Sequence, residues 1–133
     1  MYERYPTYMQ TILLVDDEPA IRVLLECVLR KAGFAVLTAS CGCEAIRISQ
    51  AHSREIALLI TDITLPGMTG WNLAREFTRV APDIPVLFMS GGCFENEFDD
   101  PDHSEFLPKP FLISTFLMEV QYLLTDKGRR AVD

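Results

Sequence analysis

The sequence predicts an α/β domain: a parallel sheet with helices on both faces. Three observations predict it. Short apolar runs alternate along the chain with segments whose apolar residues recur at helical spacing. The runs end on polar or ionisable side chains close to a glycine or a proline. With 133 residues and 49% hydrophobic content, the chain has enough apolar material for one core and one domain. Strands that alternate with helices pair in parallel, joined by crossovers.

Taken in order, residues 1–10 are polar and aromatic without periodicity and read as a loose arm. Ile12–Val15 is a short continuous apolar run, hence a central strand buried on both faces. Pro19 suits the first turn of a helix, where its missing N–H costs nothing. Ile21, Leu24, Leu25, Val28 and Leu29 follow at helical spacing, and Gly33 stops that helix. Phe34–Ala39 is a second strand. Glu44–Ala51 is a second helix, with Ala45, Ile46 and Ile48 as its apolar side. Ala57–Ile60 is a third strand, ending at Asp62. Pro66, Gly67 and Gly70 break structure, Trp71–Val80 is a third helix, and Pro82 closes it. Pro85–Met89 is a fourth strand, followed by Ser90-Gly91-Gly92. Glu105–Leu107 is a short fifth strand and Leu112–Thr125 the last helix. The domain so defined takes in residues 11–125 and leaves 126–133 as a tail.

Charge and composition exclude several functions. A net charge of −7 argues against a general affinity for nucleic acid or anionic membranes. No apolar stretch is long enough to span a bilayer. The opening "MYERYPTYMQ" lacks the basic-then-apolar order of a secretion signal. Cys27, Cys41, Cys43 and Cys93 read as reduced thiols of a cytoplasmic protein rather than a disulfide framework. Cys41-Gly42-Cys43, with His52 nearby, does not have zinc-ligand spacing and reads as small residues at a helix start.

The chemistry lies at the strand ends, because ligands of such sheets bind outside the strand C-termini. Strand one delivers Asp16 and Asp17, strand three Asp62, strand four Ser90, and strand five leads to Lys109. Adjacent carboxylates at a buried strand end repel each other and are costly to bury unless something positive belongs between them. Mg2+ fits: it keeps several waters and needs one or two carboxylates. Asp17 and Asp62 can hold it directly, with Asp16 steering a metal-bound water. A carboxylate beside Mg2+ and a lysine can also attack phosphorus. Lys109 and the Ser90 hydroxyl can then neutralise and position the phosphoryl oxygens. Singly, each residue has an ordinary role: helix entry for Asp16 or Asp17, a turn for Asp62, an exposed amine for Lys109, a loop start for Ser90. None of these roles explains why all fall at strand ends of one sheet.

At "LLVDDEP", "ITDITLPGMTGWNL", "PVLFMSG" and "FLPKPF", in that order, the sequence resembles the response-regulator receiver domain of two-component signalling, over roughly residues 11–125. The resemblance implies a flavodoxin-like, doubly wound five-stranded sheet of order 2-1-3-4-5. It implies that Asp62 accepts phosphate from a phosphohistidine on a sensor histidine kinase or a histidine phosphotransfer domain. Asp16 and Asp17 would form the acidic pocket, and the Thr64 carbonyl would add a Mg2+ ligand. Ser90 and Phe106 would be the switch pair, Phe106 standing where the family often has Tyr. Lys109 would pair with the phosphoryl group, across a cis Lys109–Pro110 bond. Thr64 and Gly92 would tune how long the phosphate lasts. The implied function is a phosphoacceptor module in a phosphorelay, self-phosphorylating and self-dephosphorylating rather than an enzyme. The "PVLFMSG" and "KPF" wording is similar to receivers fused to hybrid sensor kinases. No DNA-binding segment follows residue 125, so the expectation is a receiver that stands alone or is cut from a longer chain.

Two stretches depart from the pattern. Residues 91–105, "GGCFENEFDDPDHSE", hold six acids, two glycines and Pro101 but no Lys or Arg, where a receiver places its fourth helix. A short or absent fourth helix and a mobile acidic loop are expected, with the chain either signalling through another surface or ordering the loop only on phosphorylation or binding. In the last helix, Ile113, Phe116, Leu117, Val120 and Leu124 can face the sheet, which leaves Leu112, Met118 and Tyr122 partly exposed as a surface for a partner or for self-association. Other readings are weaker. A haloacid-dehalogenase-type phosphatase wants an acid two residues after its nucleophile, where this chain has Thr64. A flavodoxin-like nucleotide binder would not meet phosphate with Asp16-Asp17-Glu18. An interaction module that is never phosphorylated is the remaining alternative.

Overall fold

The structure, a computed structural model, describes residues 9–92 and 104–127. Its elements are β1 (Thr11–Val15), α1 (Pro19–Lys31), β2 (Ala35–Ala39), α2 (Gly42–Ala51), β3 (Ile56–Asp62), α3 (Gly70–Val80), β4 (Val86–Ser90), β5 (Ser104–Pro108) and α4 (Ile113–Tyr122). A π-helical turn, Leu123–Lys127, continues α4 two residues into the expected tail. All neighbouring strands pair in parallel, in the order β2-β1-β3-β4-β5. The expected flavodoxin-like, doubly wound topology is therefore present.

The central strands read as unbroken apolar runs because both of their faces are covered. Successive side chains point to opposite faces. Leu13 and Val15 of β1 go to one core with Leu59, Phe88, Ala45 and the α3 residues Trp71 and Phe77. Ile12 and Leu14 go to the other with Leu58, Ile60, Leu25 and Leu29 of α1 and Phe116 and Val120 of α4. Thus α2 and α3 cover one face, and α1 and α4 the other. Trp71 packs on Phe88 with ring centroids 4.3 Å apart and the planes tilted by 51°.

Helix ends follow local chemistry. Pro19 starts α1, and Gly33 takes the left-handed conformation (φ 101°) that ends it, its N–H bonding to the Arg30 carbonyl. Thr69 caps α3 by accepting from the Asn72 N–H. Not every apolar residue at helical spacing in α1 is buried. Leu24 is 48% exposed, because the buried line of α1 runs through Leu25 and Leu29 and Leu24 lies about 100° round the helix from Leu25. In α4, Phe116 and Val120 are buried, whereas Leu112, Met118 and Tyr122 are exposed as expected. Among the described residues there are four α-helices and none between β4 and β5, which fits a short or absent fourth helix. The expected acidic loop falls mostly on residues 93–103, outside the described residues, as does most of the expected N-terminal arm.

Candidate functional site

Asp16 leaves the end of β1 with its N–H bonded to the Ala39 carbonyl of β2. Its side chain is fully buried and its Oδ1 accepts from the Glu18 N–H at 2.9 Å. Asp17, next along, is exposed. Asp62 closes β3, and its Oδ1 accepts from the Thr64 N–H at 3.1 Å. Carboxylate oxygens of Asp16, Asp17 and Asp62 lie within 4.8 Å of one another.

The loop after Asp62 is held close to it. An isolated bridge joins Thr64 and Thr69, and the Gly70 N–H donates to the Ile63 carbonyl at 2.7 Å. A β-carbon at Gly70 would collide with the backbone of Asp62 and Ile63, so only glycine lets α3 start there.

Lys109 reaches the cluster from beyond β5. Its backbone N–H donates to the Ser90 carbonyl at 2.7 Å, and the following peptide bond to Pro110 is cis. Its Nζ lies 2.9 Å from Asp62 Oδ2, 3.2 Å from Asp16 Oδ2 and 3.8 Å from Glu18 Oε1. Burial pulls the Lys109 ammonium down, but the Asp62 hydrogen bond and the Asp16 and Asp62 charges outweigh it and hold the group above its usual range. Burial pushes the Asp16 carboxyl up, against the Glu18 N–H and the Lys109 charge. Three carboxylates against one ammonium leave an excess of negative charge, and this all-oxygen donor set suits a hard divalent cation that keeps some waters.

The remaining expected residues are distributed around this centre. Ser90 is buried, and its Oγ accepts from the Gly92 N–H at 3.0 Å. Thr64 is exposed beside Asp62. Phe106 stands apart on edge strand β5, 38% exposed, paired in register with Phe88. Sequence reasoning missed three residues. Arg22 donates from Nη1 to the Asp16 carbonyl at 2.7 Å, Glu18 approaches Lys109, and Gly70 sets the loop. A glycine directly before a helix is the one signal the sequence offers for Gly70, and locally it signals only a break in structure.

A parallel 2-1-3-4-5 sheet with an acid cluster and a lysine at its strand ends defines a signalling receiver. The model of the response regulator receiver domain matches residues 12–121, so the chain belongs to that family. It is 33% identical over 117 residues to "Sensor kinase CckA" of Brucella abortus (strain 2308), covering 86% of this chain but only 12% of the kinase. The crystal structure of the receiver domain from a hybrid histidine kinase CckA superposes with a TM-score of 0.76 at 36% identity, covering 86% of this chain and 99% of that one. "Response regulator receiver protein CpdR" of Brucella abortus (strain 2308) is 33% identical over 119 residues, covering 87% of this chain and 98% of CpdR. The regulator TrrA from Thermotoga maritima, solved in complex with Mg(2+)-BeF, matches with a TM-score of 0.74 at 30% identity, covering 87% of this chain and all of that one. The chain is thus a two-component signalling module, and no helix among its described residues is long and apolar enough to cross a membrane.

Proposed function

We propose that Asp62 is the phosphoacceptor of this receiver and takes a phosphoryl group from a phosphohistidine. The observation that carries this reading is the Lys109 ammonium, held at once on Asp62 and Asp16 at the strand ends. Asp17 and Asp62 would hold Mg2+ directly, Asp16 through a water, and the Thr64 carbonyl would complete the protein ligands. The Mg2+-BeF complex of TrrA is in line with this assignment. When bound, the cation supplies charge neutralisation on the transferred oxygens.

The chain's own residues do the rest. A carboxylate oxygen of Asp62 attacks phosphorus in line as the nitrogen–phosphorus bond of the donor breaks, and the electron pair leaves with the imidazole. Lys109, already paired with Asp62 Oδ2, follows the negative charge onto the new phosphoryl oxygens. The Ser90 hydroxyl exchanges the Gly92 N–H for a phosphoryl oxygen, and Phe106 turns inward behind it as the switch. Water later attacks the acyl phosphate, with access set by Thr64 and Gly92. The module is self-acting rather than an enzyme with a separate substrate.

The partner is a sensor histidine kinase or a histidine phosphotransfer domain, met in the cytoplasm. The signalling domain takes in residues 11–125, with an arm before it and a tail after it. The exposed Leu112, directly before α4, and Met118 and Tyr122 on it are the surface for a protein partner or for self-association.

The test is incubation with acetyl phosphate and Mg2+, followed by intact mass. The parent gains one phosphoryl group and Asp62→Ala gains none. A parent that gains nothing, or an Asp62→Ala variant that gains as much, overturns the assignment.

A further inference from the structure

Glu18 follows the acid pair directly and stands at the N-cap of α1, yet its side chain makes no capping bond. Its backbone N–H donates to Asp16 Oδ1, which fixes where the side chain departs. Among the described residues its one ion pair is to Lys109, with Oε1 3.8 Å from Nζ. Three carboxylates therefore share that ammonium. Those of Asp16 and Asp62 are buried, whereas the Glu18 side chain is 64% exposed. Glu18 is the acid that faces solvent, one contact away from the amine that holds Asp62 Oδ2 at 2.9 Å.

The structural duties of this carboxylate are slight. No cap bond depends on it, and an exposed ion pair adds little to stability. Its charge has a larger consequence, because a phosphodonor must bring its own negative charge to Asp62. Repulsion from Glu18 grows with the net charge of that donor. Small donors differ in this respect near neutral pH. Acetyl phosphate is a dianion. Phosphoramidate is a monoanion, because its nitrogen carries an added proton, and a phosphohistidine with a protonated ring has the same net charge.

We propose that Glu18 is a specificity-determining residue, whose carboxylate slows strongly anionic, freely diffusing phosphodonors relative to nitrogen–phosphorus donors of lower net charge. The proposal rests on Asp62 being the phosphoacceptor. With either donor class an Asp62 oxygen forms the new bond to phosphorus. With acetyl phosphate the phosphorus–oxygen bond breaks and acetate leaves with the electron pair. With phosphoramidate the phosphorus–nitrogen bond breaks, and the pair stays on a nitrogen that leaves as ammonia. Glu18 exchanges no atom in these steps and acts by charge alone.

The test uses the full chain at saturating Mg2+ and low salt, with rate constants for phosphorylation by acetyl phosphate and by phosphoramidate followed by intact mass. Glu18→Gln raises the acetyl phosphate constant roughly threefold to tenfold, the effect of one unit charge near a protein surface. The phosphoramidate constant rises by less, so the ratio of the two constants shifts toward acetyl phosphate. Glu18→Asp keeps the charge and stays closer to the parental ratio. In 1 M salt, where the Debye length is about 3 Å, the parent and Glu18→Gln converge. An unchanged ratio in Glu18→Gln overturns the proposal. So does equal acceleration with both donors, which assigns the effect to a displaced Lys109. A parent phosphorylated by neither donor overturns the phosphoacceptor reading itself, and this proposal with it.

Discussion

Lys109 Nζ lies 2.9 Å from Asp62 Oδ2, although 47 positions separate the two residues in the chain. The contact depends on the whole sheet: β4 and β5 must pair in register, and the Lys109 N–H must reach the Ser90 carbonyl, before the amine can lean over β3. Fold and chemistry are therefore coupled at this residue.

Lys109→Met keeps most of the side-chain stem and removes the charge. Fully buried Asp16 then faces Asp62 with no ammonium between them. In EDTA the variant loses about 1–3 kcal/mol of stability, the cost of leaving a buried polar group unsatisfied. The measurement is urea unfolding, with a lower midpoint at unchanged slope; an unchanged midpoint contradicts the pairing.

Mg2+ acts in the opposite direction. At ten times its dissociation constant, a ligand specific to the folded state stabilises by about 1.4 kcal/mol. A thermal scan shows the transition rising with Mg2+ and falling back on adding EDTA. Asp17→Asn blunts the rise, because Asp17 supplies one of the three clustered carboxylates.

Gly70→Ala forces a β-carbon into the backbone of Asp62 and Ile63. Overpacking of this kind costs about 1–3 kcal/mol. The displaced loop also slows phosphorylation by acetyl phosphate. Parental stability together with a parental rate would show that the close approach has no consequence.

Thr64→Leu places a bulky apolar group on an exposed position whose N–H already bonds Asp62. Attacking water loses access, and the acyl phosphate decays more slowly. Decay is followed by intact mass after removal of the donor; an equal or shorter lifetime argues against the role given to this position.

Glu44 provides a pH-dependent term away from the site. The Ser40 backbone N–H is the main reason its carboxyl is held below the ordinary value of 4.5. A depressed carboxyl stabilises the fold above that value and ceases to do so as pH falls through the folded one. Glu44→Ala is therefore less stable by about 0.5–1 kcal/mol at neutral pH, as for a lost helix-end contact. The difference closes on acidification below 4.5. A gap that does not narrow at all on acidification assigns the loss to packing instead.

Much of this was legible in the amino-acid order. Ile12–Val15 announces a strand buried on both sides, and Asp16, Asp17, Asp62 and Lys109 announce a site, because charged groups at the ends of apolar runs are costly without a shared purpose. Position around a helix was harder to read. Leu24 and Leu25 are equally apolar, and only the packing of α1 against the sheet separates them. Contacts between distant segments could not be read at all: neither the collision that reserves position 70 for glycine nor the seat of Met68 on Gly42 has a local signature.

Trp71 is the chain's one tryptophan. It follows Gly70 directly and packs on Phe88, two residues before Ser90, and its buried indole Nε1 has no hydrogen-bond partner among the described residues. The ring sits between the loop leaving Asp62 and the strand that ends in Ser90. If occupancy of the site shifts either, the indole emission changes with it, and the protein then carries a built-in optical gauge that needs no label.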